Sequence, residues 1–423
     1  MSDSPVGVER VFRRGVLVGV VAGLMVWARA PFAPRNLWGE DGARFFLHAL
    51  EDGWIEPMGR SLAGYFHFLP RLLGPVGTLV PIEWAPAALF VCGAAAVAWF
   101  SATIYLADSL VGGRRAAFAL ALMPVLLPIT GFESIANLAN LHFLMLCATA
   151  VVLVGEQETQ GRRINDTLLA TVVGLTSPTT LGLIPLAAAR VWLDRNEGRR
   201  LAPVVVGWIV GIGVQLLLIA TLADESREMA SDRSVQKIGF LFLERVVSYN
   251  LVPFWPRISG EDASTVTASL VLRALVGAAC LAVIGLLLAR AFVMARRRED
   301  ERRAVFLIAV PATAVFFFTS ASWLVGSEPR YAVFSAFCLV WALLTVTVDL
   351  SVRVLKIVLA VFLVLAVTTH WVPSDLRRTG PTWKDGIDLA VDKCRLDPDS
   401  VPVVPILPEG WSVPLSCNHL NVG

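Results

Sequence analysis

The feature that most constrains the fold is a series of apolar stretches, most of them close to the length that crosses a lipid bilayer. Of the 423 residues, 56% are hydrophobic and only 17% are charged, whereas soluble domains carry about 25% charged residues. The pattern predicts an all-α fold, a polytopic membrane helical bundle of about eleven spans, since ~20 apolar residues cross the hydrocarbon core. The predicted spans centre near Val21, Ala95, Leu122, Leu146, Val172, Pro185, Gly213, Ala279, Phe316, Leu339 and Val361.

Arginine and lysine residues set the predicted orientation, because cytoplasmic loops of membrane proteins carry an excess of them. With the N-terminus in the cytoplasm, a basic cluster precedes the first span and others occupy every second loop. We therefore predict a multi-pass protein of the plasma membrane whose C-terminus is extracytoplasmic. The first apolar stretch is interpreted as a retained span, with a cleaved signal peptide as the alternative. The basic clusters include Arg10, Arg13, Arg14, residues 114–115, 162–163, 199–200 and 296–303, Arg353 and Lys356.

The outer face receives the longest loops in this orientation. Residues 31–83 and 224–264 both carry apolar and aromatic residues at helical spacing, which is typical of juxtamembrane helices that lie in the interface. Residues 1–372 thus form the predicted transmembrane module. Residues 373–423 form a small, proline-rich extracytoplasmic cap.

The six cysteines fall into two groups. Four lie inside apolar stretches, where cysteine behaves as a small core residue. Cys394 and Cys417 lie in the cap, and an oxidising exterior permits a disulfide between them. The sequence does not reveal their separation in space, so both the bridged and the free forms stay open.

Two adjacent carboxylates, Glu40 and Asp41, stand between a tryptophan and a glycine in the first outer loop. An acid close to a membrane is costly to dehydrate and is a candidate for function. A partly apolar cavity can raise the pKa of a carboxyl towards that of a general base at neutral pH. The alternative is structural, because Asp41 before an amphipathic run suits a helix N-cap.

A second cluster lies in the next outer turn, "GFESIANLANLHF". Glu133, Asn137 and Asn140 share one face if the segment is helical, with His142 just beyond them. They are candidates for substrate contact. Hydrogen bonds between helices, which small polar residues supply in membrane bundles, are the alternative.

A late outer turn, "GSEPRYAVF", supplies a third cluster. Arg330 is placed there to hold a phosphate, because guanidinium offers planar, bidentate donors, and Glu328 and Tyr331 flank it. Arg71 is a similar candidate and Arg44 a weaker one. The alternative for each is an arginine that reaches lipid headgroups.

The sequence holds no Walker motif, no GxGxxG between strand and helix, no HExxH and no paired CxxC. The net charge is only +2, so nucleic acid is not an expected partner. No cofactor and no metal site are predicted, although a divalent cation on carboxylates stays open. Tyr65 and His67, from "GYFHFLP", are further candidates to orient a substrate.

The order of these features resembles the integral-membrane glycosyltransferases of the GT-C superfamily. The resemblance rests on "GEDG" after one span, on "GYFHFLPRLL", on Glu133 in the next outer turn and on the late "EPRY". It is closest to bacterial members, actinobacterial ones included, that have a small outer tail.

The resemblance implies transfer of a sugar, with inversion, from a polyprenyl-phosphate carrier to a glycan or lipid acceptor at the outer face, in contact with membrane lipids. It implies Asp41 or Glu40 as the general base, with Asp41 favoured because it starts the juxtamembrane helix. It also implies that Arg330, with Arg71, holds the lipid phosphate. A polymerase or ligase of lipid-linked oligosaccharides, a sugar or lipid flippase and an accessory subunit without an active site are the alternatives.

Overall fold

The computed structural model describes residues 5–107, 113–131, 133–157, 159–222, 234–252, 268–326, 328–349, 353–371 and 375–420. The protein is all-helical, with 79% helix and 3% strand, which confirms the predicted class. Of the second long outer loop, residues 224–233 and 253–264 lie outside the described residues.

The helices run in the order α1 Pro5–Arg29, α2 Leu47–Asp52, α3 Phe68–Leu73, α4 Ala85–Leu106, α5 Arg114–Leu126, α6 Leu141–Val154, α7 Gln160–Thr176, α8 Ile184–Asn196, α9 Pro203–Leu222, α10 Val235–Leu241, α11 Tyr249–Leu251, α12 Ala268–Arg297, α13 Glu301–Leu324, α14 Ala332–Asp349, α15 Arg353–Thr369, α16 Asp375–Thr379 and α17 Trp383–Leu396. Two π-helical segments, Asp41–Phe46 and Phe242–Ser248, lie in the outer loops predicted from the sequence. Strands β1 Val403–Ile406 and β2 Trp411–Pro414 form one antiparallel hairpin, with Val403 opposite Pro414.

Seven helical segments of the described chain are long and apolar enough to cross a membrane. Each of the eleven predicted span centres falls inside a helix, but α6, α7, α8 and α15 are only 13 to 17 residues long. Since a helix rises 1.5 Å per residue, such helices fall short of the ~30 Å hydrocarbon core. The seven long segments are Val11–Arg29, Ile82–Leu106, Arg114–Gly131, Pro203–Thr221, Val271–Arg297, Glu301–Leu324 and Pro329–Thr347.

The shorter helices differ in burial, since α7, α8 and α15 carry exposed apolar side chains. Every residue of α6 is buried. Between α7 and α8 the chain forms a 3₁₀ turn, Pro178–Leu183, in which Thr180 and Gly182 are buried. The indole N–H of Trp208 donates to Thr180 at 2.8 Å. In the backbone of this turn, the N–H of Thr179 donates to the Ser177 hydroxyl at 3.3 Å and that of Thr180 to the Ser177 carbonyl at 3.2 Å. These donors are therefore satisfied by protein groups, as an apolar surrounding requires.

Small residues let the long helices approach each other closely. Gly15, Gly19 and Gly23 recur every fourth position of α1 and face α4, where Gly19 lies against Ala98. A Cβ at Gly19 would lie 2.6 Å from the carbonyl oxygen of Ala98. Helices α7 and α9 pack in the same manner through Gly174, Gly207 and Gly211. Without a hydrophobic driving force between helices in lipid, such close backbone contact supplies much of the association energy.

Arg29, at the end of α1, fastens the end of α5. Its guanidinium donates to the carbonyl of Leu127 at 2.9 Å, to Oγ1 of Thr130 at 2.7 Å and to the carbonyl of Pro128 at 3.0 Å. The carbonyls at a helix C-terminus lack partners within the helix. Arg29 supplies those partners and so fixes the start of the turn that leads to α6.

The C-terminal cap docks on the first outer loop. The side chain of Asn36 donates to the carbonyl of Pro381 at 2.5 Å, and the indole of Trp383 donates to the carbonyl of Ile82 at 2.7 Å. A disulfide joins Cys394 of α17 to Cys417, with 5.5 Å between their Cα atoms. The cap is thus a folded element held to the helical module by buried polar contacts.

The close contact of α1 with α4 yields a test with a matched control. Gly19→Ala should destabilise the protein by about 1–3 kcal/mol, because the new Cβ overlaps backbone that cannot move freely. Gly213→Ala in α9 should be neutral or stabilising, since nothing lies within 4 Å of its Cβ position and alanine favours helix. Thermal unfolding in detergent measures both variants. Equal midpoints for the two would contradict the packing described.

Candidate functional site

A cavity of about 430 Å³ lies among the first outer loop, the turns that precede α6 and α14, and the cap. It combines charged, aromatic and apolar lining, as ligand sites commonly do. Of the residues predicted from the sequence, it brings together Glu40, Arg44, Tyr65, His67, Asn140, His142, Arg330 and Tyr331. The other predicted residues, Asp41, Arg71, Glu133, Asn137 and Glu328, do not line it.

Glu40 is half-buried and faces this cavity from the start of the π-helix Asp41–Phe46. The backbone before it is held by the cap, because the N–H of Gly39 donates to the carbonyl of Leu407. The N–H of Leu407 in turn donates to the carbonyl of Leu37 at 3.1 Å. The cap therefore fixes the position from which the Glu40 carboxylate enters the cavity.

Asp41 faces away from the cavity and binds the neighbouring turn. Its carboxylate accepts the backbone N–H of Leu138 at 2.7 Å and that of Ala139 at 2.9 Å, and the side chain is 4% exposed. Arg377 of α16 lines the same small hollow as Asp41 and stacks over Trp38 at 4.6 Å. Both Asp41 oxygens thus accept backbone donors, and Asp41 does not line the cavity, whereas Glu40 does. Which of the two acids is the base stays a prediction.

The electrostatics of Asp41 follow from its burial. Burial raises the pKa of Asp41 from an ordinary 3.8 to about 7. The two backbone N–H groups and Arg377 act in the opposite direction, and the neighbouring Glu40 adds to the rise. Burial also lowers the pKa of Arg377 to about 10, against the effect of Asp41.

The segment from Glu133 to Asn140 consists of turns and is not helical, so the prediction of one shared helical face is wrong. The side chain of Asn137 accepts the backbone N–H of Asn140 at 2.9 Å, and Asn140 donates through its side chain to the carbonyl of Glu133 at 3.2 Å. Asparagine side chains compete with helical hydrogen bonds in this way. Asn137 thus shapes the turn, while Asn140 also lines the cavity.

Arg330 is held by carboxylates on two sides. Its Nη1 lies 3.0 Å from the Glu133 carboxylate, and its Nη2 forms an ion pair with Glu328. Its guanidinium lies 5.7 Å from the ring centre of Tyr331, which packs edge-on against Phe143 at 5.4 Å. The side chain is only 20% exposed, so Arg330 is a fixed part of the cavity wall.

Glu133 links the charges on the two sides of the cavity. Burial raises the pKa of Glu133, Arg330 lowers it, and Glu328 and Glu40 raise it further. Glu40 and Arg330 thus act on the same carboxyl group. The cavity wall therefore carries the Glu40 carboxyl and the Arg330 guanidinium, and both affect the pKa of Glu133.

Two histidines and a tyrosine complete the polar wall. Tyr65 stacks on His67 with 3.9 Å between ring centres, and His67 is 5% exposed. Nδ1 of His142 lies 2.9 Å from the carbonyl oxygen of Ala139. Because a carbonyl only accepts, Nδ1 carries the proton in this contact.

Two features of the cavity were not predicted. Trp411 of β2 lines it, with its indole next to Gly39. Pro178 and Thr179 of the turn between α7 and α8 line it as well. The signals in the sequence are the tryptophan of "LPEGWSVP" in the proline-rich tail and the broken apolar stretch "LTSPTTLG".

The arrangement suits proton transfer and anion stabilisation. A half-buried carboxylate can accept a proton, and a guanidinium can stabilise negative charge on a leaving group. Within the described residues, no group of three or more His, Cys, Asp or Glu side chains is placed to hold a metal ion.

The raised pKa of Asp41 gives a pH dependence with a defined sign. The folded protein retains a proton that the unfolded chain releases near pH 3.8, so stability should fall as pH rises towards about 7. Asp41→Asn keeps the size of the side chain but cannot titrate. The unfolding midpoint of the wild type minus that of the variant should therefore be larger at pH 5 than at pH 8. The reverse trend would mean that the carboxyl is ionised throughout.

Comparisons with known proteins were made for the whole chain. No model of a protein family matches it, and no curated protein and no solved structure matches it.

Proposed function

We propose that the protein is a membrane glycosyltransferase of the GT-C type. It transfers a sugar from a polyprenyl-phosphate carrier to a hydroxyl of a glycan or lipid at the outer face of the plasma membrane. All eleven apolar helices then lie within the bundle at membrane level, with the N-terminus cytoplasmic and the cap extracytoplasmic. The observation that carries the proposal is that Glu40 and Arg330 share one cavity.

The proposed chemistry is a single displacement at the anomeric carbon. The acceptor oxygen forms a bond to that carbon while the bond from the carbon to the phosphate oxygen breaks, which inverts the configuration. Glu40 takes the hydroxyl proton, and the polyprenyl phosphate leaves with the electron pair of the broken bond. A base and a cation on the same cavity suit these two charge changes.

Glu40 replaces Asp41 as the proposed base because of access. The Asp41 carboxylate is occupied by the backbone of Leu138 and Ala139, whereas Glu40 lines the cavity. Asp41 is assigned a positioning role, since it holds the turn that carries Asn140 and His142.

Arg330 is the proposed partner of the leaving phosphate. Its ion pairs with Glu133 and Glu328 fix the guanidinium at the cavity wall. A preorganised cation needs little rearrangement when charge develops on the phosphate oxygens. Arg44, on the same wall, adds a second positive charge.

The lipid carrier needs an apolar route to the cavity. Ile219 near the end of α9 and Leu324 at the end of α13 both line the cavity. Leu324 is 55% exposed. Several other apolar side chains of α9 and α13 are exposed to a comparable degree. This apolar boundary is compatible with an isoprenoid chain that lies between the helices with its phosphate at the polar wall.

A transfer assay with purified protein and a polyprenyl-phosphate sugar tests the proposal. Glu40→Gln should lower turnover by about 10²–10⁴-fold, the usual contribution of a general base. Glu51→Gln is the matched control, because Glu51 is an exposed acid of the same loop that does not line the cavity. This control should retain wild-type turnover.

Two results would overturn the assignment. Wild-type turnover by Glu40→Gln would remove Glu40 as the base. Turnover of a diphosphate-linked oligosaccharide, without turnover of any monophosphate-linked sugar, would make the protein a polymerase or ligase.

A further inference from the structure

Arg71 is a buried cation to which the structure assigns no counter-charge. It lies on α3, is 2% exposed, and its Nε, Nη1 and Nη2 have no hydrogen-bond partner among the described residues. Its guanidinium lies 5.8 Å from the ring centre of Phe45, which is an aromatic contact and not an ion pair. A buried charge without a partner is strongly unfavourable, so such a group calls for an anion.

The groups around Arg71 add positive charge. Burial lowers the pKa of Arg71 to about 10, and the charge of Arg60 lowers it further. His48 is half-buried, and burial, Arg60, Arg71 and Arg44 all lower its pKa, while Asp52 raises it. The contacts place these side chains on adjoining segments. Arg71 lies over the ring of Phe45, the residue after Arg44, and Arg60 pairs with Asp52 at the end of α2, the helix that carries His48.

The nearby acids do not neutralise Arg71. Asp52 lies 2.8 Å and Glu56 3.3 Å from Nη2 of Arg60, so both carboxylates pair with that one arginine. Arg44 is exposed and forms no ion pair within the described residues. The cluster of Arg44, His48, Arg60 and Arg71 thus keeps an excess of positive charge at the flank of the cavity.

We propose that Arg44, His48, Arg60 and Arg71 form a binding site for a phosphate group that is separate from Arg330. Several guanidinium groups around one point match the multiple acceptor oxygens of a phosphate. The site is distinct because Arg71 does not line the cavity that Arg330 lines. Arg44 belongs to both, so the phosphate site adjoins the cavity wall.

The ligand is a phosphate ester, either the headgroup of an anionic lipid or a soluble phosphate compound. This site does not depend on sugar transfer, since its evidence is the uncompensated charge of Arg71. Binding can therefore be measured without turnover, and failure of the glycosyltransferase proposal leaves this one standing.

The test measures stabilisation of the full-length protein by phosphate. Thermal unfolding is followed in detergent with rising inorganic phosphate, with sodium chloride holding the ionic strength constant. A second arm uses nanodiscs of phosphatidylcholine with and without phosphatidylglycerol. Stabilisation in the first arm indicates a soluble ligand, and stabilisation in the second arm alone indicates a lipid headgroup.

The variants separate this site from other cations. Arg71→Gln should raise the phosphate concentration that gives half of the maximal stabilisation by about tenfold or more, because a charged hydrogen-bond donor is lost. Arg35→Gln, a change at an exposed arginine outside the cluster, should leave that concentration unchanged. If Arg71→Gln does not fold, Arg44→Gln and Arg60→Gln serve instead, because these side chains are more exposed.

Two results would overturn the proposal. One is the absence of stabilisation of the wild type in both arms. The other is an unchanged phosphate response in the Arg71 variant or, where that variant does not fold, in both the Arg44 and Arg60 variants.

Discussion

The carboxylate of Asp41 is the contact on which the shape of the cavity depends. It accepts the N–H groups of Leu138 and Ala139 and so ties the first outer loop to the turn before α6. Arg377 of the cap lies behind it and donates to the carbonyl of Ala136 at 3.3 Å. Asp41 and Arg377 thus bind the same turn, so three segments that lie far apart in the sequence meet there.

This clamp explains the division of roles between two adjacent acids. Because successive side chains on a helical segment point in different directions, fixing Asp41 inward leaves Glu40 at the cavity. The same turn presents Asn140 and His142 on the opposite wall. The interpretation of Asp41 as a helix N-cap is wrong, because its carboxylate binds the neighbouring turn and not the start of its own helix. A catalytic role for Glu40 stays a proposal.

Much of the fold followed from the sequence, and much of the site did not. The spacing of apolar residues located the helices, because a helix that buries one face repeats apolar residues at helical intervals. The same periodicity overestimated the length of α6, because a helix surrounded by protein need not span lipid. The turn at Glu133–Asn140 was mistaken for a helix, since side-chain hydrogen bonds by Asn137 overrode the spacing. Trp411 could not be assigned to the cavity, because only the docking of the cap brings it there.

Hydrogen–deuterium exchange of the wild type and Asp41→Asn tests the central claim most directly. The clamp predicts faster exchange in the variant for the peptide that spans Leu138 and Ala139, and for the peptide that contains Arg377. Exchange of the peptide that covers α12 should be unchanged. This helix is distant in sequence, and no hydrogen bond joins its described residues to Asp41. Unaltered exchange at Leu138 and Ala139 would contradict the account.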